Sequence, residues 1–508
     1  MPVLVGESLS VEDVLAVAAG ATAGLAPGAR ERMAASRRIV EERVASNETV
    51  YGVTTGIGDL ATVRIAPEKA RRLQADLLKS HAVGLGPALS EPETRAMLLL
   101  RAHVLARGHS GVRPEIVDLL LGMLEHGVHP VVPEQGSLGA SGDLAPLAHL
   151  ALPLIGLGEV VLEGRRMPGA DGMAAAGLVP VELEAKEGLA LVNGTQGMLG
   201  VGLLTLGRAE ALAKAADVAA AMTIEACLGT DGPFDARLQA LRPHPGQAAS
   251  AANLRALMAG SEIVASHRES VHLVQDAYSL RCAPQVHGAF RDAVAHARRV
   301  LEIEIDSVVD NPVVMPETGE ILSGGNFHGQ PVANVLDSLA AATVSLASIS
   351  ERRLYRLVDP AHSHGLPAFL VEESGVNSGF MLVQYTAASL VSESKSLAHP
   401  AAVDSIPSSA GQEDHVSMGM IAARHARACV ANAEAVVALE AFAAAQGLDF
   451  RAPLVPGAGS RVGLAAVRER IAHLTEDREI RTDLEAAVEL VRGGTLVGQV
   501  ELIVGPLG

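Results

Sequence analysis

The chain has no tryptophan, and only four tyrosines and seven phenylalanines among 508 residues. Large aromatic rings therefore cannot fill the interior. The core has to be built from alanine, leucine and valine; alanine and leucine favour helices, and small faces let helices approach closely. Cysteine is nearly as scarce. Cys227, Cys282 and Cys429 lie far apart and are odd in number, which excludes a disulfide framework and predicts reduced thiols in a cytoplasmic protein. Positive charge is in deficit too. A formal net charge of −18 argues against nucleic acid or an anionic membrane as partner.

Further absences narrow the field. The N-terminus, MPVLVGESLSVEDVL, has no basic stretch leading into a long apolar run, so no secretory signal is expected. The most apolar window, LAPLAHLALPLIGLG (144–158), is too short for a membrane span and is interrupted by Pro146, His149 and Pro153. It reads as a buried helix or core segment. The 18 histidines include AHSHG (361–365) and HGVH (126–129), but neither pair has a third ligand at a recognised spacing. No HExxH or CxxC occurs, so no metal site is expected. The glycines of GVTTGIG do not match GxGxxG and sit in no βαβ context, which argues against a dinucleotide site.

What is present is mostly helical pattern. SLSVEDVLAVA opens on Ser10 with Asp13 three residues later, and SEPETRAMLLLRAHVLARG repeats the device with Ser90 and Glu93, with Gly108 as a stop. Beyond residue 195 the segments lengthen. GMLGVGLLTLGRAEALAKAADVAAAMTIEACLG, LDSLAAATVSLASISERRLYRLVDP and VSMGMIAARHARACVANAEAVVALEAFAAAQG read as long helices, apolar around much of their circumference and therefore buried. Strand-like stretches are few: ETVYGVTTG around Tyr51, and EVVLEGRRMP, which has the look of a hairpin. The expected fold is mainly α, with a smaller mixed N-terminal region (1–195) and a long-helix bundle with a C-terminal helical region (196–508).

The segments between helices are rich in defined polar residues: YGVTTGIGDLA (51–61), KSHAVGLG (79–86), LVNGTQG (191–197), QDAYSLRCAPQ (275–285), DNP (310–312), SGGNFHG (323–329) and SSAGQEDHVSMG (408–419). Reactive groups on loops held by a rigid scaffold are the usual layout of an enzyme.

One further loop carries its own chemistry. GSLGASGDLAP (136–146) places four small residues, Gly139 to Gly142, directly before Asp143. If this backbone bends tightly, the Gly142 nitrogen reaches the Ala140 carbonyl carbon, and glycine crowds such a ring least. Cyclisation with loss of water, then loss of the Ser141 hydroxyl as a second water, gives a 4-methylidene-imidazol-5-one. Its exocyclic methylene is an electrophile, which none of the twenty side chains supplies well.

The stretch GSLGASGDLAPLAHLALPLIGLGEV resembles the signature of the aromatic amino acid ammonia-lyases, most nearly those acting on histidine. The resemblance runs from YGVTTGIG through QEDHVSMG in the right order. It implies a mostly helical homotetramer, active sites shared between three subunits, a self-made electrophile from Ala140-Ser141-Gly142, and no external cofactor. It also implies that helix N-termini point toward the electrophile, where their positive ends stabilise developing charge.

The resemblance also assigns roles. Tyr51 is the expected base for the β-proton, with Tyr278 in reserve or orienting substrate. Arg281 is the expected carboxylate clamp, since a guanidinium binds a carboxylate through two parallel hydrogen bonds. Asn193 and Asn326 are expected to contact that carboxylate or the electrophile's carbonyl, and Gln275 and Phe327 to line the pocket. His81 and Glu413 should read the substrate, because a carboxylate suits an imidazole N–H. The implied reaction is L-histidine to trans-urocanate plus ammonia. Gly329-Gln330 stands where Ala-Glu is more usual, and VTTGIGD where VNTGFGK is. These departures keep open a phenylalanine or tyrosine lyase, or a tyrosine 2,3-aminomutase using the same electrophile. From another class, a helical scaffold without activity is opposed by the intact tripeptide, Tyr51, Tyr278 and Arg281.

Overall fold

The structure, a computed structural model, describes residues 2–46, 48–270 and 274–508. The predicted helix starts are built as expected. Ser10 with Asp13, and Ser90 with Glu93, form reciprocal capping boxes. The longest helices are Gln196–Ala226, Gly419–Asp449, Gln330–Val358 and Ala283–Ile305, followed by Ala29–Ala45 and Met381–Leu397. Gln330–Val358 and Gly419–Asp449 are long and apolar enough to cross a membrane, and both are largely buried within the protein, as helices apolar on most faces are. The window 144–158 is a buried helix, Leu144–Ala151, followed by a 3-10 turn, Leu152–Ile155.

The chain folds into two compact units. The first comprises Met1–Leu204, Arg298–Asp337 and Pro400–Arg424; the second comprises Thr205–Ala297, Ser338–His399 and His425–Gly508. The first thus joins its N-terminal segment, ending at Leu204, to two later segments of the chain.

In the first unit the helices Pro67–His81, Leu144–Ala151 and Glu187–Val192 pack against one another. The approach is close: a Cβ on Gly188 would stand 2.5 Å from the Gln74 carbonyl oxygen, and Leu189 N–H donates to Gln74 Oε1 at 3.1 Å. Leu144–Ala151 starts after Asp143 and Glu187–Val192 ends before Asn193, two ends joined by the Asp143 N–H to Gly194 O hydrogen bond, and Pro67–His81 ends at His81. The helix Glu91–Ala106 is buried from Glu93 to its end and packs on Val11–Ala18 and Pro114–Glu125. Strand Leu85–Ala88 pairs antiparallel with Pro133–Gln135, which ties the segment after His81 to the one leading into Gly136. The expected hairpin pairs Glu159–Leu162 with Arg165–Pro168 and is extended by His129–Pro130.

Two local expectations are corrected. The β-branched residues around Tyr51 form no strand: Val53 and Thr54 N–H both donate to the Val50 carbonyl, and Gly52 adopts a φ of +63°, so the segment is a turn. The stretch 275–285 is not all loop. It contains the short helix Tyr278–Arg281 and the start of the helix from Ala283.

The second unit is helical with a polar network in its interior. Buried Asp217 accepts from Ser250, Asn253, His287 and Arg291, and Arg353 forks onto Glu440. Neighbouring cations and hydrogen bonds outweigh burial and hold the Asp217 carboxyl well below its ordinary range. Buried charges survive only when partnered in this way.

Candidate active site

The predicted tight bend is present. Ser141 and Gly142 adopt positive φ of +50° and +79°, and the Gly142 N–H donates back to the Gly139 carbonyl at 3.2 Å. A Cβ on Gly142 would overlap the carbonyl of Gly194, and one on Gly139 would overlap Ser417 Oγ. Both positions therefore require glycine. The loop is anchored on both sides. Asp143 N–H donates to Gly194 O at 2.8 Å, Gly194 N–H donates to Ser141 O at 3.1 Å, and Met418 N–H donates to Leu138 O at 3.0 Å.

Helices start at each anchor: Leu144–Ala151, Gln196–Ala226 and Gly419–Asp449. Their positive ends gather around Ser141, as the resemblance implies. Asp143 is completely buried, accepting from Ser137 Oγ at 2.9 Å and from Met198 N–H at 2.7 Å. Burial pushes its carboxyl up to about 6, against the pull of those hydrogen bonds.

A cleft of about 440 Å³ opens over the loop. Ala140, Ser141, Tyr51, Asn193, Phe327 and Glu413 line it, together with His328 and His415. Tyr51 Oη accepts from Gly58 N–H at 3.1 Å, which fixes the phenol oxygen. Glu413 Oε2 accepts from Ser408 Oγ at 3.2 Å. His81 is not among the lining residues, yet the Glu413 charge acts on it. Burial lowers the His81 pKa, and a backbone hydrogen bond and Glu413 oppose the shift. Its Nδ1 lies 3.0 Å from Ser80 Oγ.

Asn193 is buried. Its amide nitrogen donates to Asp310 Oδ1 at 3.3 Å and to the Asn311 carbonyl at 2.8 Å, while its Oδ1 has no partner among the described residues. Asn326 does not line the cleft; its amide donates to the Val308 carbonyl at 3.1 Å. Gln275, Tyr278 and Arg281 belong to the second unit. Tyr278 is 71% exposed, and the Arg281 guanidinium lies 4.7 Å over its ring.

Several site features are new to the structure. His328 and His415 stack with ring centres 5.8 Å apart and planes at 9°. Beneath the loop, fully buried Lys186 pairs with Asp310 at 2.6 Å, and fully buried Arg101 donates to the Asn193 carbonyl at 2.9 Å. The motif DNP marked Asp310 as part of a defined loop, but nothing in the sequence distinguishes Arg101 or Lys186 from a surface cation. Among the described residues, no group of three or more His, Cys, Asp or Glu is placed to hold a metal.

Residues 9–469 match the family described as aromatic amino acid lyase. The chain is 58% identical to the histidine ammonia-lyase of Anaeromyxobacter sp. (strain K), covering 97% of this chain and 98% of that one. It is 55% identical to that of Sorangium cellulosum (strain So ce56), over 99% and 100%. Among solved structures, tyrosine aminomutase from Streptomyces globisporus superposes with a TM-score of 0.94 at 40% identity, covering 99% of each chain. Histidine ammonia-lyase from Trypanosoma cruzi superposes with a TM-score of 0.92 at 40% identity, covering 100% and 96%.

Proposed function

The chain belongs to the aromatic amino acid lyase family and acts as a carbon–nitrogen lyase of the histidine ammonia-lyase type, and we propose that it converts L-histidine to trans-urocanate and ammonia in the cleft at Ser141. The turn at Ala140–Gly142 carries the reading. Cyclised between the Gly142 nitrogen and the Ala140 carbonyl carbon, with two waters lost, this tripeptide becomes a 4-methylidene-imidazol-5-one and supplies the electrophilic carbon that engages the substrate amine. The residues fit such a group: the backbone is already bent, and position 142 admits no Cβ.

The remaining roles belong to side chains. Tyr51, held by the Gly58 N–H, takes the β-proton. Asn193 has both amide hydrogens engaged, so its free Oδ1 accepts from the substrate ammonium. Glu413, with His81 beside it, accepts from the imidazole N–H. Phe327 packs against the flat ring. We further propose a cytoplasmic homotetramer in which another copy supplies Gln275, Tyr278 and Arg281. The exposure of Tyr278 and the unpartnered Nε of Arg281 support this.

The likeness to a tyrosine aminomutase motivates a second reading, a tyrosine lyase or 2,3-aminomutase. Product identification on histidine, tyrosine and phenylalanine separates them. Urocanate from histidine as the dominant product supports the first reading. Coumarate or β-tyrosine formed from tyrosine as the dominant product would establish the second.

A further inference from the structure

We propose that Arg101 is a positioning residue for this reaction: its buried guanidinium polarises the Asn193–Gly194 peptide, so that the Gly194 N–H holds charge developing on the Ser141 carbonyl oxygen. The inference rests on the reading of Ala140–Gly142 given above and deepens it.

Arg101 sits in the middle of the helix Glu91–Ala106 with its side chain wholly buried. Nη1 donates to the Asn193 carbonyl at 2.9 Å, while Nε and Nη2 are buried without partners among the described residues. The nearest influential carboxylate, Asp310, is already bonded to Lys186, Asn193 and the Asn311 N–H. An unpaired buried cation is costly, and packing alone does not call for one. The group it donates to is a single peptide unit.

That peptide donates from its other end. The Gly194 N–H points to Ser141 O at 3.1 Å. The chain therefore runs from guanidinium to carbonyl, through the peptide to N–H, and on to the Ser141 oxygen. Hydrogen bonds linked this way strengthen one another. Gly194 has a φ of +148°, and a Cβ there would come within 2.6 Å of Gln196 Oε1 and 3.2 Å of Arg101 Nη1, so the geometry requires glycine. In the cyclised tripeptide the Ser141 carbonyl is conjugated with its own side-chain carbon, and density arriving at that carbon is carried to this oxygen. A fixed donor aimed at such an oxygen acts as an oxyanion hole. Burial lowers the Arg101 pKa to about 10, which leaves it charged at neutral pH.

The test compares Arg101→Gln, which keeps a donor and removes the charge, with Arg101→Lys, which keeps the charge. Intact mass establishes that each protein has lost two waters. The readout is the rate at which cyanide, with no amino acid present, bleaches the near-ultraviolet absorbance of the cyclised group. In Arg101→Gln, trapping and kcat should slow in parallel by about 10–100-fold, less than the roughly 10²–10³ typical of removing a direct oxyanion donor. KM should stay within about threefold, because ground-state contacts are untouched. Arg101→Lys should recover much of the loss at neutral pH. Wild-type trapping in Arg101→Gln, or equal slowing in both variants, overturns the inference.

If Arg101→Gln does not fold or does not cyclise, Arg101→Lys decides. A buried ammonium near Asp310 and Lys186 loses its proton at a lower pH than the guanidinium it replaces. The trapping rate relative to wild type should then fall as pH rises; a constant ratio overturns the inference. A wild-type protein at full sequence mass would instead remove the reading on which the inference rests.

Discussion

Gly142 and Gly194 meet backbone to backbone: a side chain on Gly142 would overlap the Gly194 carbonyl, which also accepts from Asp143 N–H at 2.8 Å. Sequence positions 52 apart are thereby locked, and the Ser141 carbonyl is held against the Gly194 N–H. Gly142→Ala should break this contact. A non-glycine residue at positive φ costs about 1–3 kcal/mol even without a clash. The variant should keep its helical circular dichroism, lose turnover, and show the full sequence mass. A Gly142→Ala protein that still lacks two waters would mean that the loop tolerates a Cβ.

Asp143 makes stability depend on pH. Its folded pKa of about 6 lies above that of an unfolded aspartate, because burial disfavours the charged form. The folded state therefore holds this proton more tightly, and stability falls as pH rises from about 4 to 6, by about 3 kcal/mol in all. The loss persists above pH 6. Asp143→Asn removes the titration. Unfolding free energy of wild type minus variant, followed by denaturant titration, should drop by that amount between about pH 4 and 7. A flat difference would show that Asp143 is ionised throughout.

The bend at the tripeptide was legible from the sequence, because four consecutive small residues before Asp143 suit a tight turn, and the resemblance pointed to the residues around it. Tyr51, Asn193, Phe327 and Glu413 do line one cleft with Ser141. The supports beneath it were not legible. Lys186 and Arg101 look like surface cations until the fold buries them, and Asp143 gives no hint of pairing with Met198, 55 positions away. The strand reading at Tyr51 failed because β-branched composition says nothing of the turn hydrogen bonds from Val53 and Thr54. The helix from Ala283 was hidden by its polar first residues.

Substrate choice should rest on Glu413 and His81. Imidazole offers a donor and an acceptor nitrogen, and a phenyl ring offers neither. Sites built to hydrogen-bond a group can reject an analogue lacking it by about 10⁴–10⁵. L-Histidine should therefore be strongly preferred over L-phenylalanine in kcat/KM. Glu413→Gln with His81→Phe should narrow or reverse the preference even as absolute activity falls. An unchanged ratio in the double variant would place discrimination elsewhere.

Sharing of sites between copies has a distinct signature. Tyr51→Phe should lose roughly 10²–10⁴ in rate, as expected of a positioned base. Arg281→Lys should lose about 2–5 kcal/mol of transition-state binding, because the bidentate grip is gone. If Tyr51 and Arg281 of different copies form one site, mixing and reassembling the two inactive variants restores part of the activity. Mixtures that stay inactive, with tetramers shown to exchange, would assign both residues to a single copy.

The central claim is that Ala140, Ser141 and Gly142 cyclise to make the electrophile, and intact mass spectrometry of the purified protein tests it most directly. The wild type should weigh less than its sequence by two waters, and Ser141→Ala should regain at least one of them with loss of turnover. A wild-type mass equal to that of the sequence in an active protein would contradict the account.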